Sequence, residues 1–281
     1  GGLSALLVFF LGRRLFGRGV GAAAGLLAAV YPVLVFFDGE LLFPNLLAFL
    51  DLLFALALVA AWPKPRGAPW FAAGLAGGLS AIARPNILMP MAALAAWRAW
   101  GWRHGAEVPP ANCSRRESRR QCALALCLFA LGAALPIAPV TLHNRIVGKD
   151  WVLIASQGGI VAWAGNGPYA DGFNPTSGRL YTRFERYEDT FELYAKHEAE
   201  EAAGRPLKAS EVSRYWSRRT ARHIAENPGR WLALMGKKIA GFWTREEVRN
   251  NKYIPFALSY SPPLAALHRV LNFGLIGPFA L

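Results

Sequence analysis

Charge is scarce in this sequence, and acidic charge is scarcer than basic. Of 281 residues only 17% are charged, with 31 Lys+Arg against 18 Asp+Glu for a formal net charge of +13, while 54% are hydrophobic. A soluble enzyme rarely sustains long stretches without charge. A disordered basic tail or a nucleic-acid module would show the basic excess without the Leu, Ala, Phe and Trp. Nucleic acid is therefore not an expected partner, whereas a lipid bilayer is. Cysteine is nearly absent as well: Cys113, Cys122 and Cys127 cannot all pair, and their spacing matches no metal site. The signatures of soluble catalysis are missing too, with no Gly-x-x-x-x-Gly-Lys-Ser/Thr, Gly-x-Ser-x-Gly, Cys-x-x-Cys or His-Glu-x-x-His.

What the sequence has in quantity is apolar runs. Val20 to Phe37 is 18 residues without charge and Gln121 to Val140 is 20. At the helical rise each reaches roughly 27 to 30 Å, the thickness of a bilayer core. Seven apolar segments follow from the pattern: 3–11, 20–37, 41–61, 69–83, 86–100, 121–140 and 264–281. The expected fold is a membrane all-α polytopic bundle over 1–140, an extracytoplasmic, mixed but mainly helical domain over 141–262, and the start of a further transmembrane helix over 263–281. A first run of only nine apolar residues, no Met, and an apolar end at Leu281 read as an internal fragment of a longer polytopic protein. A signal peptide fits less well, because Arg13 and Arg14 follow the run instead of preceding it.

Basic residues set the orientation. They gather in 12–19 (Arg13, Arg14, Arg18), 62–68 (Lys64, Arg66) and 101–120 (Arg103, Arg115, Arg116, Arg119, Arg120). These stretches alternate with short joints at Asp38–Glu40 and Arg84–Pro85, so basic loops inside put both joints and 141–262 outside. A single helix kinked at Pro85 would also fit 69–100, but it would place Arg115 to Arg120 outside. Two short helices meeting at Arg84-Pro85-Asn86 are expected instead. In 141–262, Trp151 to Ile154 and Gly158 to Ala164 read as short strands around Gly-rich turns. Phe184, Tyr187, Phe191 and Tyr194 recur as a helical stripe, continued by Val212, Trp216 and Ile224. Asn227-Pro228 reads as the N-cap and first turn of a helix with the stripe Trp231, Met235, Ile239 and Phe242.

Polar groups at the outer boundary are the candidates for chemistry. Asp38 and Glu40 share a short joint; they could bind a cation or a sugar hydroxyl, or simply be a solvated joint. Arg84 with Asn86 lies on the next outward joint, where an Arg fork suits a phosphate, although a snorkelling helix end is the plainer reading. Asp51, near the middle of 41–61, would cost roughly 2.5 to 3.5 kcal/mol at that depth and should face a partner or a cavity. Gly74 and Gly78 mark a close helix-packing face. His143, Asn144 and Arg145 either line a site or end the span. Asn166 lies in the turn-rich Trp163 to Pro168 stretch, which could approach a sugar or simply be a plain loop.

The order of Arg13-Arg14-Leu15-Phe16-Gly17, Tyr31-Pro32 to Phe37-Asp38-Gly39-Glu40-Leu41-Leu42 and Ala83-Arg84-Pro85-Asn86 resembles the bacterial glycosyltransferase family 39 proteins. These are related to protein O-mannosyltransferases and aminoarabinose transferases of the GT-C superfamily. His143 to Asp150, Gln157-Gly158-Gly159, Gly165-Asn166, Asn227-Pro228-Gly229 and Asn250-Asn251 extend the resemblance over nearly the whole chain. It implies a multi-pass protein of the bacterial inner membrane. Such a protein transfers a sugar from a polyprenyl-phosphate-linked donor to a lipid, glycan or protein acceptor on the outer face, by inverting single displacement. The catalytic base of such proteins sits in a first outer loop, which would precede Gly1, so the fragment is not expected to catalyse alone. Glu40 matches the family's acidic position, with Asp38 beside it, for donor or cation binding. A divalent cation held at Glu40 is compatible with this reading, though no fixed spacing defines its site. Arg84 and Asn86 match carrier-phosphate binding, with His143, Asn144, Arg145 and Asn166 as weaker outer-face candidates. Asp38-Gly39-Glu40 differs from the His- or Tyr-containing versions in other members. A lipid-linked-sugar flippase and a non-catalytic envelope scaffold are the alternatives.

Overall fold

The computed structural model describes residues 1–40, 42–64, 67–104, 115–173, 191–243 and 254–272, and all regular structure among them is helical. The chain divides into two compact units, Gly1–His143 and Asn144–Leu281.

In the first unit, α1 (Gly2–Phe16) and α2 (Arg18–Val30) form a hairpin turning at Gly17, whose φ of 97° strains any side-chain-bearing residue. The run expected to be one segment over 20–37 is broken. α3 (Pro32–Asp38) leaves α2 at 53°, because Pro32 has no N–H to continue the helix and holds Tyr31 in extended backbone (φ −67°, ψ 117°). α4 (Pro44–Ala61) and α5 (Ala68–Ala83) run antiparallel. Ser80 Oγ donates to Asp51 Oδ1 at 2.5 Å near one end, and Trp62 meets Trp70 at 6.0 Å near the other. Asp51 thus has the partner its depth demands.

The chain reverses at Arg84, through a 3-10 turn Pro85–Ile87, into α6 (Leu88–Arg103). Met91 lies against Gly77, and the Arg98 guanidinium sits 5.3 Å from both the Trp62 and Trp70 rings. α6 therefore returns along α5, as two short helices require. α7 (Arg115–Ile146) runs the same way as α5. A Cβ on Gly74 would fall 2.0 Å from the Phe129 carbonyl oxygen, and one on Gly78 2.5 Å from that of Ala133. The expected small-residue face is real, and it is matched by Gly132 on α7, whose Cβ would meet the Phe71 carbonyl at 2.2 Å. Phe54, Trp70, Met91 and Phe129 close the core.

Pro44–Ala61 and Arg120–Ile146 are long and apolar enough to cross a membrane, and the bent α2–α3 pair makes a third if it is one span. Only 11% of the Pro44–Ala61 window is buried within the protein, so this apolar surface calls for lipid rather than water around it. α7 passes through Pro136 and Pro139 to Ile146, so His143, Asn144 and Arg145 belong to its last turn.

The second unit holds α8 (Gly158–Asn166), α9 (Phe191–Ala203), α10 (Ala209–Glu226), α11 (Pro228–Phe242), α12 (Ile254–Tyr260) and α13 (Pro262–Val270). The strands expected at 151–154 and 158–164 are not formed. Residues 158–164 are helical because Gly159, lacking a Cβ, lets α8 pack on α10 backbone to backbone; a Cβ there would lie 1.9 Å from the Ser213 carbonyl oxygen. Ile160, Ala195, Ala199, Val212 and Trp216 form the core, and the Trp216 indole donates to the Ala195 carbonyl at 2.9 Å. Of the aromatic stripe, Phe184 and Tyr187 lie outside the described residues, and α9 begins at Phe191.

Asn227 stands at the N-cap of α11 with Pro228 in the first turn, as expected, but its side chain donates to the His223 carbonyl at the end of α10 and makes no capping bond to α11. The expected face of α11 is also rotated. Trp231 and Lys238 bond to the Gly165–Asn166 stretch, Leu234 contacts Gly172, and Gly241 receives Phe173, whereas Ile239 and Phe242 stay exposed. α13 ends at Val270, and residues 273–281 of the expected further span lie outside the described residues.

Candidate functional site

Helix directions decide which polar joints share an end of the first unit. Because α4 and α5 are antiparallel, the 38–44 joint before α4 and the Arg84–Asn86 turn after α5 lie at the same end. α1 begins there too, with the Gly1 nitrogen 2.8 Å from Asp38 Oδ1. Asp38 is exposed and accepts from Asn45 Nδ2 at 2.5 Å, a bond that ties the joint to the first turn of α4. Glu40 is half-buried beside it. Arg84 stands in extended backbone at φ −154°, ψ 109°; it and Asn86 are exposed and make no side-chain hydrogen bond or ion pair among the described residues. The end therefore holds two carboxylates and a guanidinium that is not engaged by either. Such a fork can take a phosphate without first breaking an internal pair.

The last turn of α7 does different work. His143 is exposed. Asn144 Nδ2 donates to the carbonyls of Val152 and Ile154 at 3.0 and 3.1 Å, which holds the 150–154 segment against the helix end and occupies the amide. Arg145 lies 5.0 Å over the Trp151 ring. Asn166 is equally committed: its Nδ2 donates to Ala162, and its Oδ1 accepts from Trp231 Nε1 and Lys238 Nζ, both at 3.3 Å. Lys238 also donates to the Gly165 carbonyl at 2.7 Å, and burial pulls its ammonium pKa down. Asn144 thus holds the 150–154 segment to α7 and Asn166, the last residue of α8, ties that helix to α11; neither amide is open to a ligand in this arrangement.

Two residues escaped the sequence reading. Asp150 is buried and accepts from the Ser210 N–H at 2.8 Å and hydroxyl at 2.6 Å. Burial pushes its carboxyl up, but the Ser210 bonds, the Trp151 N–H and Lys208 outweigh that and hold it below the usual carboxylate range. Arg219 stacks 4.7 Å over Trp163 and 5.0 Å over Trp216 while paired with Glu198. Its only sequence signal was an Arg within a Trp-bearing amphipathic stretch. Among the described residues no three of His, Cys, Asp or Glu come together to hold a metal ion. No protein-family model, curated protein or solved structure matches this chain.

Proposed function

We propose that this chain is the membrane-embedded part of a glycosyltransferase that moves a sugar from a polyprenyl-phosphate-linked donor to an acceptor at the outer membrane face. The observation that supports this reading most directly is the sharing of one end of the first unit by Asp38, Glu40 and an unengaged Arg84. In the proposed reaction the acceptor hydroxyl attacks the anomeric carbon from the side opposite the carrier. A carboxylate takes the hydroxyl proton. The carrier phosphate departs with the bonding electron pair and needs positive charge rather than a proton. Arg84 would meet that phosphate with its fork, Asn86 would donate beside it, and Glu40 would orient the donor or hold a cation, with Asp38 fixed by Asn45.

The test is transfer from radiolabelled polyprenyl-phosphate donors in membranes from cells expressing the full-length protein. Arg84→Ala and Glu40→Gln should each lower transfer by about tenfold or more at unchanged expression, the scale of one lost charge-assisted contact. Transfer unaffected by both changes would return these residues to solvated helix ends.

A further inference from the structure

Arg214, Arg218 and Arg222 recur at intervals of four on α10, a spacing that aligns them along one stripe of the helix. With Tyr215 they line a cleft of about 430 Å3. The other charged residues that line this cleft, Arg205, Glu211 and Arg219, are already matched among the described residues. Arg205 forks onto Glu211 at 2.6 and 3.3 Å, holding the Glu211 carboxyl at about 2, so that carboxylate is both ionised and occupied. Arg219 is paired with Glu198 and donates to the Tyr215 hydroxyl at 3.2 Å. On α9, Glu200 accepts from the Leu207 N–H and Glu201 pairs with His197. Arg214, Arg218 and Arg222 are left exposed, with no hydrogen bond, ion pair or ring contact among the described residues. Like charges four apart weaken a helix; among the described residues the one acidic side chain that continues the stripe is Glu226, four residues beyond Arg222, which leaves Arg214 and Arg218 without a carboxylate of their own.

We infer that this cleft binds a diphosphate group, either on a soluble ester or at the head of a lipid. Three guanidiniums spread over about 12 Å of helix axis exceed what one phosphate can engage. The cleft volume falls within the range of small-ligand sites, and the planar forks match phosphoryl oxygens. The Tyr215 hydroxyl, accepting from Arg219, keeps its own proton to donate. This inference does not depend on the glycosyltransferase reading.

The test uses the whole chain in phosphatidylcholine nanodiscs, titrated calorimetrically with sodium pyrophosphate at low salt. Pyrophosphate should bind, and affinity should fall by about tenfold for each arginine removed across Arg214→Gln, Arg218→Gln and Arg222→Gln. The corresponding Lys series keeps the charge, loses the fork and should fall in between. A second arm adds a polyprenyl diphosphate to the host lipid and reads hydrogen exchange along 209–226. Slowed exchange that the triple Gln variant abolishes, without pyrophosphate binding, would assign the site to a lipid headgroup. Pyrophosphate affinity unchanged in the triple variant, or no response in either arm, overturns the inference. Because the three side chains are exposed, the triple variant should keep its helix content by circular dichroism, so a loss of binding is not a loss of fold.

Discussion

Asp150 shows how, beside the bond that Glu211 makes to the Lys208 N–H, one buried carboxylate can help organise a helix start whose N-cap residue, Lys208, offers no side-chain acceptor. Its two oxygens satisfy the N–H and hydroxyl of Ser210, the second residue of α10, from a loop sixty residues away. A carboxyl held below its ordinary value contributes stability that is complete above about pH 4. That stability is lost as pH falls below 3.8 and through the folded-state value. Hydrogen exchange over 209–213, corrected for intrinsic rates, should therefore accelerate below pH 4. Asp150→Ala should cost about 1 to 2 kcal/mol at neutral pH, the scale of a lost cap, and should flatten that acid dependence. Asp51 makes the same point within the apolar unit. Its depth along an apolar run announced that a partner was needed, but Ser80, 29 residues on, became visible only once α4 and α5 were paired. A double-mutant cycle with Asp51→Ala and Ser80→Ala should return a coupling of roughly 0.6 kcal/mol, typical of hydrogen bonds between membrane helices.

Elements were more legible than their contacts. Long apolar runs located α4 and α7, and the Arg84-Pro85-Asn86 break separated α5 from α6, because length and proline chemistry act locally. The short Gly158 to Ala164 run was misread as strand because an apolar run of that length carries no decisive period. What decides it is the approach of α8 to α10 at Gly159, a tertiary fact. α11 went astray for a related reason: its packed face includes Lys238, whose ammonium reaches the Gly165 carbonyl, so a stripe chosen by hydrophobicity lands one position off. Glycines separate in the same way by what surrounds them. Gly74→Ala drives a methyl group to 2.0 Å from the Phe129 carbonyl oxygen and should destabilise the α5–α7 contact by about 1 to 3 kcal/mol. Gly236→Ala, in the interior of α11 with nothing within 4 Å, should instead stabilise by roughly 0.5 to 1 kcal/mol. Thermal unfolding of both variants in the same detergent reads the sign directly.

For the whole molecule, the strongest convergence between sequence and structure lies in the charges of the first unit. α1 begins beside Asp38, so Arg13 and Arg14 at its far end lie opposite that carboxylate. Lys64 follows α4 and Arg103 ends α6 beyond the Trp62–Trp70–Arg98 contact, while α7, parallel to α5, brings Arg120 to that same end. Basic residues thus gather at one end, and Asp38, Glu40 and the lone Arg84 gather at the other. This is the asymmetry that orients membrane proteins with the basic end inside. In a background with Cys113, Cys122 and Cys127 replaced by Ser, Lys64→Cys and His104→Cys should resist a membrane-impermeant maleimide in intact cells and react after permeabilisation. Asn227→Cys should react in both. The inverted pattern would place Glu40 and Arg84 at the cytoplasmic face, and with them the proposed sugar transfer would lose its outer acceptor. The α10 arginine cleft would survive that result as a diphosphate site, because its argument rests on the second unit alone.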